Sequence, residues 1–366
     1  MTKYILILLL LIMSYLPTNG ENEKIKLGVA GLTHSHVHGL LSQLDHKAFT
    51  LVGIAEPNKK LAESYARRYG FSMDLVYSNL ADMIEETNPE AVAAFNSIYE
   101  HLEVVEICAP KGIHVMVEKP LAVNMEHAAK MEKLAKENSI HLITNYETTW
   151  YPTNHKAFEL LQEGRIGDIR KVIIRDGHRG PKKIGVNPEF LEWLIDPKLN
   201  GGGAIIDFGC YGVNLMTWLM QGELPISVTS VTQQLQPENN PKVDDEANII
   251  LVYDQANALV EASWNWPMGR KDMEIYGVSG AIYADNKHDL RIRIAEGYSD
   301  FEENSMKLDN RDSPYDDPFS FFAAVINNKI KLQPYDLSSL ENNMIVVKIL
   351  DAAKKSAAEK RTINIY

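Results

Sequence analysis

Ile25-Lys26-Leu27-Gly28-Val29-Ala30-Gly31 is a short apolar run cut off at a glycine, and a stretch of helical character follows it through Leu44. The unit then recurs. Residues 49–55 form a second strand-like run, closed by Glu56-Pro57-Asn58; 91–95 form a third, 114–117 a fourth and 141–144 a fifth. Segments of helical character, such as 59–69 and 124–137, lie between them. Strands alternating with helices predict a parallel, doubly wound α/β sheet, because each crossover helix must pack on a sheet face before the next strand returns. An antiparallel arrangement would need hairpin turns, which this half of the chain lacks.

After Trp150-Tyr151-Pro152 the grammar changes. A helix over 155–163 stops at Gly164, and longer strand-like runs follow at 170–175, 226–233, 247–253, 258–264 and 273–276. Few helices separate the later runs, so this half is expected to form an α+β domain with a large, open, mostly antiparallel sheet. Ser338-Ser339-Leu340-Glu341 reads as a capping box opening a helix towards Lys360, free to pack back on the first domain. The expected division is 1–20 leader, 24–146 dinucleotide-binding domain and 147–366 substrate and oligomerisation domain.

The 366 residues suffice for two ordinary domains, and 45% hydrophobic with 23% charged residues is a globular composition. A net charge of −12 argues against nucleic acid as a partner, since phosphate binding needs a surplus of Lys and Arg. The start of the chain differs from the rest. Lys3 precedes an apolar run over 4–13, then Ser14-Tyr15-Leu16-Pro17 and small or polar residues to Gly20. That order is a secretory signal peptide's, too short for a comfortable membrane span, with an uncleaved anchor as the alternative. Export, into a bacterial periplasm, is therefore expected, with no membrane attachment after cleavage near Gly20. The two cysteines, Cys108 and Cys210, fall in apolar helical stretches and are expected as buried thiols rather than a disulfide.

A strand ending in Gly31, with acidic Glu56 closing the next strand, is the skeleton of a dinucleotide site. The helix after Gly31 would offer free backbone N–H groups to a pyrophosphate, with Thr33 and His34 beside it. Glu56 would accept from the adenine ribose hydroxyls and repel a 2′-phosphate, favouring NAD over NADP. The glycine fingerprint itself is one-third intact: aligned on G-x-G-x-x-G, Thr33 and His36 occupy the second and third glycine positions. His36 is bulky and predicts a shifted helix. Of His34, His36 and His38, only the first and last would share a helix face, and no carboxylate or cysteine stands near them in sequence. No metal site is expected there.

The strand His114-Val115-Met116-Val117 running into Glu118-Lys119-Pro120 and an apolar-leading helix resembles the signature of the Gfo/Idh/MocA oxidoreductases. So does the stretch from Trp193 to Asn214, WLIDPKLNGGGAIIDFGCYGVN, and so do residues 51–58, 96–101, 243–247 and 276–281. The resemblance covers nearly everything after Lys24. It implies that Lys119 lies beside the nicotinamide and the substrate hydroxyl, often after a cis Lys-Pro bond, with Glu118 and Asn96 on the cofactor side. It also implies that Asp207 and Tyr211 converge on the substrate, Tyr211 standing where many members have His and matching a branch that uses tyrosine as acid/base. Such a tyrosine would need Lys119 close by to act near neutrality. His178 and Arg179, after a strand end, and Asn214, where Asp is frequent, are candidate sugar contacts. Trp150, Trp264 and Trp266 could stack on a pyranose.

Together these features predict an NAD(P)-dependent oxidoreductase acting on a hydroxyl of a sugar or polyol. Outside the cytoplasm there is little free nicotinamide to recycle, which favours a tightly bound cofactor. That leaves a redox-neutral, NAD-assisted glycosidase as one alternative, and a cofactor-free carbohydrate-binding homologue as another. The resemblance also implies a homo-oligomer assembled through the open sheet.

Overall fold

The computed structural model describes residues 24–365; the leader read at 1–20 lies outside the described residues. The first sheet contains β1 (Ile25–Ala30), β2 (Phe49–Ala55), β3 (Val76–Tyr77), β4 (Ala91–Ala94), β5 (His114–Glu118) and β6 (Leu142–Asn145). Their order is β3-β2-β1-β4-β5-β6 and every pairing is parallel. This is the doubly wound dinucleotide-binding topology. Side chains alternate between two cores: Ala91, Ala93 and Phe95 face one, while Val92 and Ala94 face the other. Both faces are covered, which is why these strands read as continuous apolar runs.

The second sheet has nine strands in the order β14-β13-β12-β11-β7-β10-β9-β8-β15. They are β7 (Ile169–Gly177), β8 (Ser227–Gln233), β9 (Glu246–Val252), β10 (Asn257–Ser263), β11 (Arg270–Gly277), β12 (Gly280–Ala284), β13 (Asp289–Ala295), β14 (Phe301–Lys307) and β15 (Ile363–Asn364). All pairings are antiparallel except that of β7 with β10. One face packs on the helix Gly209–Leu219, every residue of which is buried. Cys108 and Cys210 are both buried, in different cores.

Three local expectations are corrected. The helix after β1 covers only Val37–Leu41, because the preceding loop is tied down by other bonds: Leu32 N–H donates to Glu56 and His34 N–H to the Phe95 carbonyl. The last helix, Leu340–Glu359, is capped by Ser339, whose side chain accepts from Asn342 N–H, and not by a Ser338/Glu341 box. The Ser338 carbonyl instead accepts from Thr144 N–H at the end of β6. The helix expected from 155 starts at Pro152, a residue suited to a first helical turn because it has no N–H to leave unpaired.

The chain also crosses back between its halves. Phe319, Phe321 and Phe322, on the helix Pro318–Ile326, complete the core of the first domain. The last helix reaches it too, through Asp351 accepting from Met125 N–H at 2.8 Å and Lys354 donating to the Val123 carbonyl at 2.9 Å.

Candidate active site

β5 ends at Glu118 and delivers Lys119 into the seam between the domains, followed by a cis Lys119–Pro120 bond. From the other side comes Asp207, the last residue of the short helix Ala204–Asp207. The turn before that helix is fixed by Asp244, whose carboxylate accepts from Gly203 N–H at 2.9 Å and Ile205 N–H at 2.7 Å. Only glycine fits at 203, since a Cβ there would lie 1.8 Å from the Asp244 carbonyl oxygen.

Lys119 Nζ donates to Asp207 Oδ1 at 2.5 Å and to its carbonyl at 3.1 Å. Both residues are 5% exposed, and Trp264 Nε1 donates to Asp207 Oδ2 at 2.9 Å from behind. Burial alone would neutralise each group. It is outweighed by the partner charge, so the Lys119 ammonium is held above its ordinary range and the Asp207 carboxyl below. An ammonium has three protons; two go to Asp207, and the third is left for a ligand oxygen in the cavity.

That cavity, of about 550 Å³, lies between the domains and has the size of small-molecule sites. Lys119, Asp207 and Tyr211 form its floor, His34, Ser35 and His36 one wall, and Phe190, Leu194 and His178 another. Tyr211 is buried, with the Lys119 Nζ 5.3 Å and the Lys271 Nζ 4.5 Å from its ring centroid. The sequence expectation was that Lys119 would bring this phenol into range as a base. Lys119 does lie beside the ring, but burial, with Glu147 and Asp207 nearby, pushes the Tyr211 phenol above its ordinary value. It is a neutral phenol at physiological pH.

Other expected contacts fall elsewhere. Asn214 is fully buried and donates to the Leu337 carbonyl at 2.8 Å. Trp150 is a core residue, edge-on to Phe321, with Nε1 donating to Asn145. Arg179 is exposed and does not line the cavity. Trp264 is fully buried and supports Asp207 instead of stacking on a ligand. His178 does line the cavity; its Nδ1 accepts from Gly180 N–H at 3.0 Å.

The fold adds groups that no local motif marked. Lys271 on β11 pairs with Glu147, whose carboxyl is held at about 2: burial would raise it, but the Lys271 ammonium and the Tyr151 hydroxyl hold it down. Asp176 on β7 is buried, with neither carboxylate oxygen hydrogen-bonded, and burial pushes its pKa well above the ordinary range. These contacts join a strand of the second sheet to the segment following β6, and sequence spacing carries no trace of them.

In the loop after β1, Gly31 has a φ of +79° and packs so closely on Asn96 that a Cβ would lie 2.8 Å from the Asn96 Cβ. The N–H groups of Thr33 and Ser35 make no hydrogen bond within the described residues. The Ser35 hydroxyl and the Asn96 side-chain oxygen are buried without partners. Such a loop, with unpaired amides and a free hydroxyl, fits the phosphate and ribose oxygens of a dinucleotide. Glu56 accepts from Leu32 N–H at 2.9 Å and Asn58 N–H at 2.8 Å, so part of its hydrogen-bonding capacity braces the loop.

No carboxylate stands near the three histidines in sequence, yet the fold brings one. His36 Nδ1 lies 2.8 Å from Glu118 Oε2, across 82 residues of chain. Ligand-type atoms of His34, His36 and Glu118 all lie within 4.8 Å of one another. Burial above all, then His36 and the neighbouring Lys119 ammonium, lower the pKa of His34, and the Lys119 charge opposes a cation at that place.

Residues 25–146 match the oxidoreductase family with an NAD-binding Rossmann fold, and residues 154–283 match the GFO/IDH/MocA C-terminal domain. The chain belongs to the Gfo/Idh/MocA family. The inositol 2-dehydrogenase of Rhizobium meliloti (strain 1021) is 23% identical over 348 residues, covering 93% of this chain and 98% of that protein. The aldose-aldose oxidoreductase of Caulobacter crescentus, solved with glycerol, superposes with a TM-score of 0.75 at 20% identity, over 93% of this chain and 99% of that one. An inositol dehydrogenase homologue from Azotobacter vinelandii, solved with NAD+, gives a TM-score of 0.79 at 16% identity, over 93% and 98% of the two chains. The family thus includes sugar and polyol oxidoreductases, and the fold is that of an NAD-binding member.

Proposed function

We propose that this chain oxidises a secondary hydroxyl of a sugar or polyol, using NAD. The observation that carries the reading is the buried Lys119–Asp207 ion pair on the floor of a sugar-sized cavity beside the anion-accepting loop. Thr33 and Ser35 would hold the pyrophosphate, Glu56 and Asn96 the ribose side, and Glu118 the neighbourhood of the nicotinamide. When bound, NAD supplies the hydride acceptor. Lys119 donates its free proton to the substrate oxygen and stabilises the developing alkoxide, an effect magnified by burial. Asp207 fixes the ammonium in place, and the Tyr211 phenol donates a second hydrogen bond. His178, which accepts at Nδ1 and so carries its proton at Nε2, is a donor to sugar hydroxyls.

Glu56 favours NAD over NADP by its charge. The leader read at 1–20 supports export to a periplasm, and with it a cofactor retained through the cycle. Val231, Ile250 and Val252 are exposed on β8 and β9, which supports assembly of copies through the open sheet.

Mass spectrometry of the purified, denatured chain tests the cofactor: stoichiometric NAD(H) is expected, whereas no nucleotide and no thermal shift on adding it would sink the enzyme reading. Lys119→Met and Tyr211→Phe should each lower turnover of a polyol panel by at least about 100-fold. Wild-type rates in both would remove these residues from the site. Release of aglycone from aryl glycosides without added acceptor would select the glycosidase alternative.

A further inference from the structure

The groups around the Lys119 ammonium are poor proton acceptors. Lys119 is an ammonium and Tyr211 a neutral phenol, while the carboxylates of Asp207 and Glu147 are engaged by Lys119 and Lys271. Oxidising a hydroxyl releases a proton as well as a hydride, so some group must take it.

Three histidines line the cavity, and their hydrogen bonds decide which can act. His34 accepts from His36 N–H at Nδ1, at 3.1 Å, and His178 accepts from Gly180 N–H at Nδ1, at 3.0 Å. An imidazole that accepts at Nδ1 carries its proton at Nε2 and presents a donor there. His36 is the reverse. Its Nδ1 faces Glu118 Oε2 at 2.8 Å, and the other carboxylate oxygen accepts from Asn145 Nδ2 at 2.8 Å. An ionised carboxylate only accepts, so Nδ1 of His36 holds a proton, and in the neutral ring the lone pair is the one on Nε2. Glu118 is itself fixed, through Asn145, to the Trp150 indole N–H at 3.0 Å. A carboxylate holding Nδ1–H while Nε2 faces the reacting group is the arrangement that makes histidine a general base.

We infer that His36, oriented by Glu118, is the general base that receives the substrate's hydroxyl proton. The inference rests on the oxidoreductase reading above. The O–H bond breaks towards His36 Nε2, the C–H bond breaks as hydride to NAD, and the C=O bond forms. The alcohol is oxidised, the nicotinamide is reduced, and the imidazolium later returns the proton to solvent. The histidine that spoils the glycine fingerprint is then a catalytic residue, and Glu118 is its positioning residue.

Two measurements test this. Long-range 1H–15N spectra of the 15N-histidine-labelled full chain, assigned with His36→Gln, should show Nδ1–H for His36 and Nε2–H for His34 and His178. An Nε2–H tautomer at His36 overturns the inference whatever the activity. In kinetics with NAD and polyols, His36→Gln should lose about 10²- to 10⁴-fold in kcat, with NAD affinity within about threefold of wild type. Added imidazole should partly restore His36→Gly, which a structural role would not allow. Glu118→Gln should lower kcat while sparing the KM for polyol. Three outcomes overturn the inference: wild-type kcat in His36→Gln, a loss confined to NAD binding, or activity removed by chelation and restored by zinc. The last would assign His34, His36 and Glu118 to a metal. If the wild type turns over no polyol, the oxidoreductase reading itself falls and the base has no such reaction to serve; the tautomer result separates the two failures.

Discussion

Asp207→Asn removes the counter-charge of a lysine that is 5% exposed. Breaking a buried pair by deleting one partner typically costs about 3–5 kcal/mol, because the other charge is left desolvated. The pH dependence gives a sharper signature. In the wild type, Asp207 is held below its unfolded value, so its contribution is present above about pH 4 and is lost as pH falls through the folded pKa. Lys119 is held above its unfolded value of about 10.4, so its contribution is present below that and is lost as pH rises through the folded pKa. The pair therefore adds a flat term from roughly pH 5 to 9. Without Asp207, desolvation is unopposed by its main partner and the folded pKa of Lys119 drops below the unfolded value. The unfolded chain then binds the extra proton, and stability must rise with pH up to about 10. Urea denaturation of wild type, Asp207→Asn, Lys119→Met and the double variant across pH 6–9 reads this directly. The expected result is a positive slope in Asp207→Asn alone and a double variant more stable than that single one. Equal slopes, or costs that simply add, would refute the buried-pair reasoning.

Trp264→Phe keeps the buried ring but deletes the donor to Asp207 Oδ2; a bond to a charged group is worth about 1.5–3 kcal/mol, so thermal melting should drop accordingly. Gly203→Ala should destabilise by about 3 kcal/mol or more, its Cβ meeting backbone at 1.8 Å, whereas Gly39→Ala, with nothing within 4 Å at an exposed helix position, should stabilise by about 0.5–1 kcal/mol. Burial raises the Asp176 pKa above its unfolded value, so stability is lost as pH rises from about 4. Asp176→Asn should therefore raise the melting temperature at pH 7, and the gain should shrink towards pH 3.

Five of the first sheet's six strands were legible because they are largely buried and so appear as apolar runs at helix-spaced intervals; β3, two half-buried residues, left no such run. β14 was not: six of its seven residues are exposed, so no alternation betrays it. Lys119 and Asp207 were reached through the motifs around them, and the fold brings them into contact. Asn214 and Trp150 were misjudged for a common reason. Polar and aromatic side chains near a motif look like ligand contacts, but both serve the interior, where each buried N–H needs an acceptor. The His36–Glu118 contact was invisible because it joins a loop after β1 to the end of β5. A fingerprint reading registers His36 only as a missing glycine.

The return of the helix Pro318–Ile326 to the first domain has a biosynthetic consequence. Phe319, Phe321 and Phe322 emerge from the ribosome only after the nine-stranded sheet's first eight strands have been made. Until then the early domain carries an uncovered apolar face beside β2. The nascent amino-terminal half must wait, partly finished, for a lid encoded near the far end of its own message. Residues 24–146 expressed alone would keep that face open to aggregation.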